Sequence, residues 1–278
     1  MGCCGLSPWC LVRKSVRARC ASGFRSAGPF AGYDFAIERV EKELGDDGFA
    51  MFVNGTQGNI SMGHSSELSA IGVITPGRTF EHADELGNKL AMATLNALGQ
   101  IETSDSPKIG AEVATVPFPL KELPDVPTAK QALLSAELEL TAVSGNGAPI
   151  ESIMKAKSKR LYASITDFYA RETSVFADGH LPVELQVVRI GDAVFMAVPA
   201  EVFVEIGIEI KQRAKHRTFI IGIANGYIGY LPTAAAYAEN GYEVVSSKVG
   251  PRSEELLYEE ARKLEQRLFE TESEIQQR

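Results

Sequence analysis

The feature that most constrains this fold lies between Leu181 and Val198. Val183, Leu185 and Val187 alternate with Glu184 and Gln186, Gly191-Asp192 breaks the run, and Ala193-Val-Phe-Met-Ala-Val198 returns as a second apolar stretch. Period-two alternation belongs to a strand with one face on a core, and a two-residue turn joins antiparallel neighbours. Elsewhere helical and strand patterns alternate along the chain. A hairpin set in such a chain excludes a purely parallel sheet. The expectation is an α/β fold, a layered mixed β-sheet flanked by helices, in a single domain. With 278 residues, 45% of them hydrophobic, the chain has material for that core.

The remaining elements follow from periodicity. Residues 33–44 carry Ala36, Val40 and Leu44 on one helical face, stopped by Gly45. Phe49 to Val53 is a short apolar run that reads as a buried strand, and Asn54, Gly55, Gly58 and Asn59 then break it into a tight loop delivering Ser61 to a cleft. From Ser61 to Arg78 the chain reads as loop. Residues 80–98 form a strong helix capped by Gly99, whose small residues Ala83, Gly87 and Ala91 would permit close approach to a sheet. A strand over 108–118 is ended by prolines 117, 119, 124 and 127. Two helices, 128–143 and 150–169, follow; the lysines of the second read as a solvated face. A helix over 202–215, a buried strand over 218–224 and a charged helix over 253–272 complete the pattern.

Charge is unevenly placed. Residues 1–28 carry Arg13, Lys14, Arg17, Arg19 and Arg25 with no acid, so removing these five charges from the net −8 leaves the body at −13. An acidic body with no basic stripe argues against nucleic acid as a partner. No stretch approaches a transmembrane segment. All four cysteines lie in the same leader, which therefore reads as an atypical Cys/Arg-rich, disordered segment ahead of a domain over 29–278. Arg13 and Lys14 interrupt any apolar signal core, which leaves a cytoplasmic location as the default expectation. A second copy of the chain, as a homo-oligomer, is a candidate partner.

Chemistry concentrates where apolar runs end: Ser61, Glu201 after Pro199-Ala200, and Tyr227 and Tyr230 after the last strand. Sites in α/β sheets gather outside strand ends. A carboxylate and a phenol there can ligate a metal or handle protons, and a hydroxyl can attack or bind a carbonyl. Each residue taken alone also has a plain structural explanation. Ser61 lacks the glycine pattern of a nucleophile elbow. His64, His82, His180 and His216 are scattered without ligand spacing, and His82 and His216 read as surface residues.

In combination these motifs resemble the neutral/alkaline non-lysosomal ceramidases. Asn54-Gly-Thr-Gln-Gly-Asn-Ile-Ser61 looks like that family's serine motif, and Val198-Pro-Ala-Glu201 like its Pro-Gly/Ala-Glu segment. Asn225-Gly-Tyr-Ile-Gly-Tyr230, with Thr233, Tyr237 and Tyr242-Glu243, is similar to its tyrosine run. The resemblance runs from about Ala31 to the end and implies the C-terminal part of an N-terminally truncated catalytic domain. It implies a zinc-dependent amidohydrolase cleaving the amide of a ceramide-like lipid, N-acylsphingosine, to sphingosine and fatty acid. Ser61 and Tyr242 would then be catalytic, Glu201 and Tyr230 zinc ligands, and Gly58, Asn59, Tyr227 and Tyr237 substrate contacts. The family's two zinc histidines lie upstream of the serine motif, where this chain has none, so the missing ligands would come from His64, His180 or a partner chain. The alternative is a metal-free, catalytically inactive fragment acting as a lipid-binding or interaction module.

Overall fold

The structure, a computed structural model, describes residues 10–14, 32–45, 48–61, 63, 65–102, 104–145 and 147–276, with side chains between 32 and 270. Its elements begin with strand β1 (Cys10–Lys14), helix α1 (Gly32–Leu44), strand β2 (Gly48–Phe52), and helices α2 (Ser66–Ala70) and α3 (Phe80–Leu98). Strand β3 (Ile109–Pro119) leads to helices α4 (Val126–Gly145) and α5 (Ile150–Thr173), then strands β4 (His180–Ile190), β5 (Ala193–Val198) and β6 (Glu201–Val202). Helix α6 (Val204–Arg213), strands β7 (Arg217–Gly222) and β8 (Tyr230–Leu231), and helices α7 (Tyr242–Val245) and α8 (Ser253–Gln276) complete it. This is the expected single-domain α/β layout with a mixed sheet flanked by helices, and within it the residues group into two compact units.

The first unit comprises residues up to Asn54 and from Ile74 to Pro107. Of the basic leader, residues 10–14 are described, as β1 antiparallel to β2; its remainder lies outside the described residues. Ala36 and Val40 of α1, Ala50 of β2 and Ala91 of α3 form a small core. The small residues of α3 do allow a close approach, but to a helix: a Cβ on Gly87 would lie 2.4 Å from the Gly32 carbonyl oxygen. The apolar run of β2 is a strand but not a buried one. Phe49 and Met51 remain 43% and 42% exposed, because among the described residues β2 has one strand neighbour and they point away from the face on which Ala50 is buried and Phe52 stacks on Tyr33.

The second unit holds residues 55–73 and 108–278. Its sheet runs β3-β4-β5-β7, antiparallel except for the parallel β5–β7 pair. The Gly191-Asp192 turn sets the register, pairing Ile190 with Ala193. Pro117 and Pro119 do not end β3 but lie within it, tolerated because among the described residues β3 is an edge strand with one ladder partner. Leu185, Val187, Val194 and Met196 pack against Ile206 and Ile210 of α6 and Leu257 and Leu264 of α8. Each large apolar side chain so buried contributes about 1.5–3 kcal/mol. Two short helices were hidden in the sequence: α7, a single turn, and α2, which falls in the stretch that reads as loop and is started by Ser65, whose side chain accepts from the Leu68 N–H. His216 also differs from the surface reading. It is half-buried, bonded to Glu265 at 2.9 Å and stacked on Phe269.

Candidate functional site

The site forms where β5 leaves the sheet. After Val198, residues Pro199 and Ala200 step aside and β6 pairs in parallel with β8, setting Glu201 opposite Tyr230. The two residues are neighbours by backbone register, a stricter constraint than a side-chain contact. The loop between β7 and β8 wraps this junction. Ile223 donates its N–H to Ala200 O and Ile228 to Pro199 O, at 3.1 and 2.7 Å. Ile223 has φ of 55°, a left-handed conformation rare for a β-branched residue, which costs on the order of 1–3 kcal/mol. The wrapped loop brings the Tyr227 hydroxyl to donate to Glu201 Oε1 at 2.7 Å.

Two further elements close the site. Helix α7 begins with Tyr242, whose ring meets that of Tyr230 edge-on, 6.2 Å between centroids. Its last carbonyls, of Val244 and Val245, accept from Lys121 Nζ at 2.6 and 2.9 Å, a cation at a helix C-terminus. Helix α5 contributes Phe168, Tyr169 and Asp167. The Tyr169 hydroxyl donates to Ser246 O, and Asp167 Oδ2 accepts from Arg171 Nη2 at 2.8 Å. Tyr242, Asp167, Phe168 and Tyr169 join Glu201, Tyr227 and Tyr230 in lining an open cleft of about 440 Å³, with Leu133, Ile165 and Phe168 as its apolar wall, while Lys121 lies outside the lining.

Burial raises the Tyr227, Tyr230 and Tyr169 phenols above their ordinary range, with Glu201 adding to the effect at each. At neutral pH they are therefore protonated hydrogen-bond donors. The cleft offers neutral donors and carboxylate acceptors beside an apolar wall, which suits the polar end of an amphiphile.

The serine loop is docked against the same junction. Gly58 donates its N–H to Val202 O at 2.9 Å, and a Cβ there would lie 2.4 Å from Glu201 O. A Cβ on Gly222 would lie 2.6 Å from Gly55 O. Only bare backbone fits at either point. Asn59 caps α6, its Oδ1 accepting from the Val204 N–H and its Nδ2 donating to Glu205. Ser61 follows this loop as an exposed residue and is not among those lining the cleft. Tyr237 also lies outside the lining, its hydroxyl donating to Val249 O at 2.6 Å. His180 is exposed at the start of β4, its Nδ1 2.7 Å from Asp178 O, and His64 lies outside the described residues.

Thus Glu201, Tyr227, Tyr230 and Tyr242 converge, Gly58 and Asn59 support the neighbouring loop, and Ser61 and Tyr237 stand apart. Sequence reasoning missed Asp167, Tyr169, Ser246 and Lys121. The first two sit near the end of a helix whose lysines dominated its pattern, and nothing in their spacing points to a cleft. A zinc ion fits this set poorly. Among the described residues no group of three or more His, Cys, Asp or Glu converges, whereas catalytic zinc takes three protein ligands, usually including nitrogen.

No protein-family model matches the chain, and no curated protein sequence matches it. Among solved structures it is similar to the neutral ceramidase of Pseudomonas aeruginosa, at 18% identity and TM-score 0.51, covering 85% of this chain and 41% of that one. A ceramidase complexed with C2 aligns at 16% identity and TM-score 0.48, covering 82% and 40%. The chain thus spans about two-fifths of the length of these structures. At such identities the likeness is one of fold: the chain has a ceramidase-like fold.

Proposed function

We propose that the cleft is a ceramidase-type site that binds the polar end of an N-acylsphingosine-like amide lipid. The observation that carries this reading is the Glu201–Tyr230 register pair with the Tyr227 hydroxyl on Glu201, built from the two motifs that resemble the ceramidases. In this reading the protonated phenol of Tyr230 and the Tyr242 hydroxyl donate to the amide carbonyl, whose oxygen gains negative charge under attack. Glu201 accepts from the amide N–H or from a hydroxyl. Leu133, Ile165 and Phe168 receive the hydrocarbon.

Amide hydrolysis is the second reading. It places Ser61 at the carbonyl as nucleophile or contact, with Gly58 and Asn59 fixing its loop and Tyr237 supporting from beyond the lining. It gives Glu201 and Tyr230 to zinc, which when bound would polarise the carbonyl or activate water. The two residues this reading gives to zinc are one carboxylate and one phenol, so it needs nitrogen ligands from beyond the cleft lining, from His64, His180 or a partner chain. Lipid binding without turnover is therefore placed first.

Calorimetric titration of a short-chain N-acylsphingosine into the protein tests this. Saturable one-to-one binding, weakened about tenfold in Tyr230→Phe by the loss of one hydrogen bond to a developing or full carbonyl dipole, is expected. Absence of saturable binding to the wild-type protein removes the proposal. Turnover after zinc loading that disappears in both Glu201→Ala and Ser61→Ala would move hydrolysis to first place.

A further inference from the structure

The same cleft has a second chemical character. Aromatic rings and carboxylates share its lining: Tyr227, Tyr230 and Tyr242 stand near Glu201, and Tyr169 stands next to Phe168, 5.4 Å between centroids, above buried Asp167. Asp167 receives both of its Arg171 hydrogen bonds on Oδ2, at 2.8 and 3.2 Å, and Oδ1 has no partner among the described residues. The charges lining the cleft are Glu201, Asp167 and Arg171, so one negative charge is left over. Rings present a negative face to cations, and a carboxylate beside such rings is the chemistry that holds an ammonium group. Tyr169 already carries one: Lys248 Nζ lies 5.5 Å from its ring centroid.

We infer that this aromatic, carboxylate-bearing cleft binds a primary alkylammonium group, with its alkyl chain along Leu133, Ile165 and Phe168, so that a free long-chain amine is a ligand in its own right. The inference rests on reading this cleft as the lipid site. It names the amine half of an amide lipid, in its protonated form, as a species the site holds without any metal. An ammonium brings three N–H donors and a full positive charge, and Glu201 and the ring faces supply what each requires. An acidic body further favours the approach of a cation.

The test is calorimetric titration at neutral pH with n-octylamine, n-butylamine, n-octanol and N-octylacetamide, the last being the neutral amide of the same amine. Expected are one-to-one binding of octylamine, at least tenfold tighter than octanol or butylamine, and a tenfold or greater loss in Glu201→Gln, larger than the loss N-octylacetamide suffers in the same variant. Tyr242→Leu should weaken octylamine severalfold and Tyr242→Phe should not, since the ring face rather than the hydroxyl is required. The variants' urea midpoints show whether they are folded. Equal binding of octylamine and octanol, or octylamine binding unchanged in folded Glu201→Gln, overturns the inference. Butylamine binding as tightly as octylamine overturns the assignment of the apolar wall. Binding of N-octylacetamide without octylamine overturns the ammonium site while leaving the amide-lipid reading standing. Octylamine binding with no affinity for N-octylacetamide or N-acylsphingosine supports the inference and removes that reading.

Discussion

Phe49-Ala-Met-Phe-Val53 and Ala193-Val-Phe-Met-Ala-Val198 are nearly the same apolar run, and they meet opposite fates. In β5, Val194, Met196 and Val198 are all at most 1% exposed; in β2, Phe49 and Met51 keep more than two-fifths of their surface. Both runs become strands, because strand formation depends on local pattern. Burial depends on neighbours. The run in β5 lies between β4 and β7 with α6 and α8 packed on the sheet, whereas among the described residues β2 pairs with β1 alone. An apolar run is thus evidence for a strand and only weak evidence for a core.

The sharpest way to break this comparison is a matched pair of truncations. Met196→Ala should destabilise the protein by about 2–5 kcal/mol, through lost transfer energy and an unfilled cavity. Met51→Ala should stay within about 0.5 kcal/mol, as for an exposed site. Urea unfolding of both variants reads the difference, and equal losses would mean that β2 is covered in solution.

A smaller effect is expected within the second unit, where the serine loop passes the end of β7. Gly222→Ala would drive a methyl group against the Gly55 and Ala200 carbonyls and the Gln57 side chain. Overpacking of this kind costs about 1–3 kcal/mol. Since the displaced loop also touches Glu201, short-chain N-acylsphingosine affinity should fall with it. A variant with wild-type stability and affinity would mean that the loop is not held there.

The smallest effect separates the two units by their buried charge. In the first, the perturbed groups Glu81 and Glu85 are fully exposed and lowered mainly by hydrogen bonds. In the second, burial lowers the Lys121 ammonium from 10.5 to about 8. Between those values the unfolded chain holds a proton that the folded chain has released, so stability rises with pH across this window. Tyr237 acts in the opposite sense: burial raises its phenol from 10.0 to about 12, so its contribution is full below pH 10.0 and is lost as pH rises towards 12. Urea midpoints should therefore climb from about pH 8 to about pH 10 and decline above it. Lys121→Met should flatten the climb by on the order of 1 kcal/mol. A climb that persists in this variant would assign it to another group.

The hairpin, the mixed sheet and the main helices were legible in the sequence because each is written in local periodicity. Helix α2 was not, since five residues with no apolar stripe offer no period to detect. The candidate site was legible in half. Glu201, Tyr227, Tyr230 and Tyr242 stand out as polar residues where apolar runs end, and their motifs resemble a known family. Asp167, Tyr169 and Lys121 carry no such mark.

By itself, then, the sequence determined which segments become strands and helices, where they turn, and which side chains could do chemistry. Tertiary structure alone decided that Glu201 faces Tyr230, that Asn59 caps a helix 145 residues away, and that Ser61 stands apart from the cleft. It also decided that Phe49 stays exposed while Val198 is buried. The physical reason is range. Periodicity and turn chemistry act over a few residues, whereas burial, register between distant strands and close backbone approach depend on which elements pack together, and no local pattern records that choice.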